Sequence, residues 1–436
     1  MSALLPASGL LLLLLFLGLR IARSASARFV VFACWLRFML STFHVYTFDE
    51  VVGTMSLTAL GSASLFLLGL LLLPKAMLFG RGVMAVYLVI AAIFLSALAN
   101  GALLAAFEPV TKFGLFLMIA LHSYRALKVG DERQFGLALL LSFSPLIVFQ
   151  LLSLAFDVPK MTEGTGGESY IGGYYHEAAF SIGVMALLVM VAIERSLPAA
   201  LKLLILPLGL ASILLANYRT AILATAPLMI YYLLVGITRP IDPRLRGSVA
   251  ALAGIGIIVA VAVSVMTLER FSDLRTIAQG ETSIIKPPNE FTEADANVLS
   301  GRGQIWSEYV YKWLDGSELR QLVGYGPESW EEYFPVYAHN SFISYLFEYG
   351  LVGLAALIFL FAAGVAMSLK ARSNRWKLLA AHLSFLVVNL ATMPFWLIEG
   401  NIVYGLIWGY TLFYCAERRP ASAQAGLRPY FKEVEV

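Results

Sequence analysis

Charge is scarce in this chain. Asp, Glu, Lys and Arg make up 14% of its 436 residues, against roughly 25% in soluble domains. Hydrophobic residues supply 59% and the mean hydropathy is +0.79, which excludes a soluble or peripheral protein and indicates a membrane-embedded one. Cysteine is nearly missing: Cys34 and Cys415 both lie in apolar runs, so neither a disulfide framework nor a cysteine metal site can be built. The formal net charge is only +3 and no Lys/Arg stripe is present, so no nucleic-acid partner is expected. Sustained period-2 alternation is absent, which excludes a transmembrane barrel. No internal repeat or low-complexity segment is visible. No basic region precedes the Leu run at Leu10 to Leu15; Arg20, Arg23 and Arg28 follow it instead, the reverse of a cleavable signal peptide.

Apolar stretches fall near 3–19, 29–48, 52–73, 83–105, 110–128, 135–156, 178–194, 198–216, 220–238, 248–267, 342–369, 378–398 and 402–416, each long enough to be read as a helix crossing a bilayer. The expectation is an all-α polytopic membrane protein of 12–13 transmembrane helices, the lower number applying if 3–19 lies in the interface. Alternating sides place seventeen Lys/Arg in the connections 20–28, 74–82, 125–134, 195–202, 239–247 and 370–377, whereas the short connections opposite hold Lys160 and Arg219. The positive-inside rule makes the first set cytoplasmic, with the tail 417–436. The organisation expected is an N-terminal bundle 1–267, an external loop 268–340, C-terminal helices 341–416 and that tail. The loop carries twelve Asp/Glu against six Arg/Lys over Leu268 to Ala338, and an excursion of this length is usually functional. Helical spacing over Ser307 to Leu319 puts Tyr309, Trp313 and Gly316 on one side.

His176, Arg219, Arg302 and His339 all fall at or beyond the external ends of spans. Arg219, in Asn217-Tyr218-Arg219-Thr220, is either an interfacial anchor or a cavity-lining charge. Arg302, between Gly301 and Gly303, offers a planar fork for phosphate or is simply an exposed loop residue. His339 precedes a span, where imidazole can accept a proton near neutral pH or do no more than begin a helix that Asn340 or Ser341 caps. Glu348 shares a helix face with Ser341 and Tyr345; it is a functional candidate or pairs with Arg37 or Lys112.

Taken together, Arg219, the Gly301-Arg302 pair followed by Trp306, Gly324-Tyr325-Gly326, and the run from His339-Asn340-Ser341-Phe342 through Glu348-Tyr349-Gly350 to Gly353 resemble the bacterial O-antigen ligase and polymerase superfamily. The motif-level similarity covers about 217–221 and 300–353. The stretch Tyr170 to Phe180 resembles the family's external loop before the seventh span, with Glu177-Ala178 in place of the Pro-Asn pair frequent there. The resemblance implies an enzyme of the inner membrane, active on its periplasmic face, that moves a glycan from undecaprenyl diphosphate to lipid A–core or to a second lipid-linked glycan. It implies Arg219, Arg302 and His339 as catalytic, with Tyr218, His176, Trp306, Tyr325, Asn340 and Glu348 around the substrates. No metal or cofactor is expected. A transporter or flippase shares the span count, but would show repeats and polar groups near the bilayer midplane.

Overall fold

The computed structural model describes residues 4–53, 55–161, 167–238, 241–267, 284–292, 299 and 301–416. The tail 417–436 and most of 268–300 lie outside the described residues. The chain is an all-α polytopic membrane protein: each expected span coincides with a helix or a pair of helices. Ala25–Thr42, Arg81–Ala99, Glu132–Ala155 and Ser341–Lys370 are individually long and apolar enough to cross a membrane, and shorter apolar helices accompany them. Strand is confined, among the described residues, to two short hairpins, Glu50–Val52 with Met55–Ser56 and Lys160–Met161 with Glu168–Ser169.

Side-chain chemistry sets the helix boundaries. Ser24, Ser56, Asp131 and Asn340 each accept a backbone N–H of the first turn, satisfying donors that a helix start leaves orphaned. The expected span 135–156 is interrupted at Phe143, between helices Glu132–Ser142 and Ser144–Ala155, because Pro145 has no N–H to extend the first helix's ladder. The span expected at 378–398 ends earlier, at Ala391, as Pro394 lies just beyond it. In the segment expected as the external loop, the expected helix Ser307 to Leu319 is shifted: it runs Arg302–Leu314, and Ser317 caps a second helix, Glu318–Val323. Tyr309 and Trp313 do share a cluster, but Gly316 belongs to the turn between the helices.

The last helix, Ile398–Ala416, is buried along almost its whole length and packs on Phe107–Val129 and Glu177–Ile193. Gly405 and Gly409 permit this: a Cβ on Gly405 would lie 2.8 Å from the Ile119 side chain, and one on Gly409 would lie 2.6 Å from the Ala120 carbonyl. Small residues four apart let helix backbones approach where no hydrophobic effect drives them together. Many large apolar side chains, Leu71, Leu104 and Leu203 among them, face outward.

The connections sort into two sets by mutual contact. At one end Arg195 donates to Glu132 over 2.8 Å, Asn374 to the Ile193 carbonyl over 2.9 Å, and Tyr414 to Glu132. At the other end His44 Nδ1 donates to the Gly173 carbonyl over 2.8 Å, Asn100 to the Gly324 carbonyl over 3.1 Å, and Asn340 to the Leu390 carbonyl over 3.0 Å. The first end gathers the connections rich in Lys/Arg. The second gathers the candidate functional residues.

Candidate active site

Two anchored segments bring Arg302 and His339 together. Gly301 adopts φ 77°, a left-handed conformation suited to glycine, and Arg302 begins the helix that follows. One and two turns on, Trp306 Nε1 donates to the Ala338 carbonyl over 2.8 Å and the Tyr309 hydroxyl to the Val336 carbonyl over 2.9 Å. Tyr309 is fully buried and stacks on Phe334 with centroids 3.8 Å apart. The strand of chain leading to His339 is thus bound to the helix that starts with Arg302. Beyond it, Asn340 Oδ1 accepts from Phe342 N at 2.9 Å and Ile343 N at 3.3 Å. His339 lies between these anchors with φ 50°, a region costly for most side chains, and the Tyr337 ring lies 4.0 Å from its imidazole.

The bundle supplies the opposite wall. His176 caps helix Glu177–Ile193: its Nδ1 accepts from Ala178 N at 2.9 Å. When neutral it therefore carries its proton on Nε2. The His176 ring meets Tyr218 edge-on with centroids 6.4 Å apart. Tyr218 follows Asn217, whose φ of 53° turns the chain between two helices, and its hydroxyl is in hydrogen-bonding contact with Thr392 and Thr220. Burial raises the Tyr218 hydroxyl above its ordinary range, keeping it a proton donor. Arg219 opens the next helix with its side chain exposed.

Burial, then the charge of Arg302, then His176 push His339 down to about 4. The imidazole is therefore neutral at neutral pH and free to accept a proton. Among the described residues no carboxylate is ion-paired with Arg219 or Arg302, so both guanidinium charges are available to an anion. Glu177, a buried carboxylate that acts on Tyr218, is taken up by Lys160 at 3.5 Å and by a bond from Ser169 at 3.2 Å.

Other expected residues have different partners. Trp306 and Asn340 fix the backbone around His339. Tyr325 stacks on Phe347 at 4.6 Å and donates to the Lys312 carbonyl over 2.8 Å, inside the loop's aromatic cluster. Glu348 is buried, accepting from Ser344 Oγ at 2.8 Å and from Glu328 N at 3.1 Å. Neither of its expected ion pairs is formed: Arg37 donates to the Thr58 carbonyl over 2.6 Å and feels Glu399, and Lys112 pairs with Glu108. The sequence marks Tyr337 only as one of the loop aromatics that pack back on the membrane or line a groove, and does not mark Thr392. Tyr337 stands two residues before His339 in an aromatic stretch with no distinguishing pattern, and Thr392 is brought in only by the fold.

An O-antigen ligase family model matches residues 203–358, a stretch holding Tyr218, Arg219, Arg302 and His339 but neither His176 nor Thr392. That match supports the O-antigen ligase and polymerase superfamily. No curated protein matches the chain.

Proposed function

We propose that the chain is an O-antigen ligase-type glycosyltransferase of the bacterial inner membrane, moving a glycan en bloc from undecaprenyl diphosphate to lipid A–core at the periplasmic face. The observation carrying this reading is His339 held beside Arg302 by the Trp306–Ala338 and Tyr309–Val336 bonds, Arg302 having no carboxylate partner among the described residues. Arg302 and Arg219 bind the donor diphosphate, Arg302 through its planar fork. His339 takes the proton from the acceptor hydroxyl as that oxygen bonds to the anomeric carbon. The bond from this carbon to the diphosphate breaks, its electron pair leaves on the phosphate oxygen, and the arginines stabilise the charge that develops there. Attack opposite the leaving group inverts the anomeric centre. Tyr218, protonated and half-buried near Arg302, donates a hydrogen bond to donor or leaving group.

A second reading, a polymerase using another lipid-linked repeat unit as acceptor, is favoured by the acidic balance of the external loop, which disfavours an anionic core. Purified protein supplied with undecaprenyl-diphosphate oligosaccharide and each acceptor separately tests both. Product on lipid A–core alone supports ligation, lengthened lipid-linked glycan supports polymerisation, and absence of both products sinks the transferase reading.

A further inference from the structure

A cavity of about 170 Å³ opens between the starts of helices Phe107–Val129 and Ser341–Lys370 and the segments around residues 330 and 396, at the same end of the bundle as His339. We propose that this cavity is an acceptor subsite for one uncharged pyranose residue, set back along the acceptor from the sugar whose hydroxyl attacks. The inference rests on the glycosyl-transfer reading and deepens it by naming the class of sugar taken.

Size, walls and charge all point the same way. Pockets for drug-sized ligands run about 300–1,000 Å³, so a volume of about 170 Å³ suits a single ring. Trp330 and Trp396 form part of the wall, their centroids 5.4 Å apart. The face of an indole is electron-rich and attracts the polarised C–H face of a pyranose. The polar wall is carboxylic. Glu108, Glu328, Glu331 and Glu348 face the cavity against the single cation Lys112. Carboxylates accept hydrogen bonds from sugar hydroxyls, in pairs where geometry allows, whereas their surplus charge repels a phosphate or uronate.

Glu108 and Glu328 both line the cavity and act on each other, and Lys112 pairs with Glu108. Burial, then Glu108, raises the Glu328 carboxyl to about 7, so near neutral pH it serves a sugar as donor or acceptor. Glu328 holds φ 58°, a conformation uncommon for a residue with a side chain.

Placement identifies the acceptor. The donor diphosphate needs cations, and these stand at Arg302 and Arg219; the cavity repels it. From the cavity a row of rings leads to the base: Trp330 and Trp396 each lie 6.1 Å from Tyr337, and Tyr337 lies 4.0 Å from His339. A saccharide lying along that row puts one sugar in the cavity and another at the imidazole.

The test uses the purified full chain with two acceptors, one an oligosaccharide of uncharged hexoses and one carrying a uronic acid at the residue behind the attacking sugar. Binding of the lipid-free uncharged oligosaccharide is read independently by tryptophan fluorescence. Trp330→Ala is expected to raise the KM of the uncharged acceptor by about tenfold, the upper range of a ring-stacking contact, with Trp330→Phe restoring most of it. Glu331→Gln is expected to narrow the preference for the uncharged acceptor over the uronate one. An acceptor KM indifferent to Trp330→Ala, or equal use of both acceptors by the wild type, overturns the proposal. If the wild type transfers nothing, the transferase reading falls and fluorescence decides the cavity alone. Saturable binding that Trp330→Ala abolishes sustains it, and no binding overturns it.

Discussion

His339 combines two properties that its variants separate: an unusual backbone and a depressed proton affinity. At φ 50°, alanine is strained by about 1–2 kcal/mol, whereas asparagine tolerates this region; His339→Asn therefore removes the base with less disturbance than His339→Ala. A loss of about 10²- to 10⁴-fold in kcat is expected of the Asn variant, with donor binding kept; near-normal turnover would leave His339 a positioning group. Because its folded value near 4 lies below the ordinary 6.5, His339 resists protonation in the folded state. Its contribution to stability is complete above about pH 6.5 and is lost as pH falls toward 4. The acid limb of kcat/KM, which reports the free enzyme, is expected near the lower of these values. The limb of kcat is expected at higher pH, since bound diphosphate sets negative charge beside the imidazole. A kcat/KM limb at pH 6.5 would contradict the burial of His339 beside Arg302. Arg302→Lys keeps a charge but loses the bidentate fork, so most transfer activity should vanish while thermal unfolding is unaltered; wild-type turnover would remove Arg302 from the diphosphate site.

The kinked helix Ser341–Lys370 is the element on which the loop is seated. Its break at Gly350, φ 64°, opens backbone groups to which Gly324-Tyr325-Gly326 bonds: Tyr325 N donates to the Phe347 carbonyl over 2.9 Å and Gly326 N to that of Glu348 over 3.0 Å. A Cβ on Gly350 would stand 2.4 Å from the Leu322 carbonyl. Gly350→Ala is therefore expected to cost about 3 kcal/mol or more, read as a lower unfolding temperature in detergent, and an unchanged temperature would refute the seating. Glu348→Gln separates support from chemistry. The amide can keep its oxygen on Glu328 N and turn Nε2 toward Ser344 Oγ, a hydroxyl able to accept, so little stability should be lost and the pH profile of kcat/KM should remain that of the wild type. This element was legible in sequence at its start, where Asn340 caps as expected, and along its apolar length. The glycine break was not, because an apolar run has no alternation to betray a kink, and Glu348 reads identically as catalyst or as strut until its partners Ser344 and Glu328 are in place.

Across the whole molecule, the apolar stretches could be read as helices because apolar length is nearly all a bilayer asks of one. What could not be read is which helices touch, since lipid-facing and core-facing leucines look alike; Gly405 and Gly409 mark one close contact. Sidedness is testable in a background lacking Cys34 and Cys415. Leu319→Cys, exposed in the loop, is expected to react with a membrane-impermeant reagent from outside, and Arg372→Cys only after permeabilisation; the reverse pattern would invert the topology. The buried position of helix Ile398–Ala416 bears, finally, on how the protein is made. The segment synthesised last among the described helices fills the middle of the bundle, and Thr392, just before it, holds Tyr218 and receives a bond from Ser341 over 3.4 Å. A nascent chain that lacks this helix can already make the Trp306–Ala338 and Tyr309–Val336 bonds that join Arg302 to His339, but helices Phe107–Val129 and Glu177–Ile193 still lack the partner they both pack on.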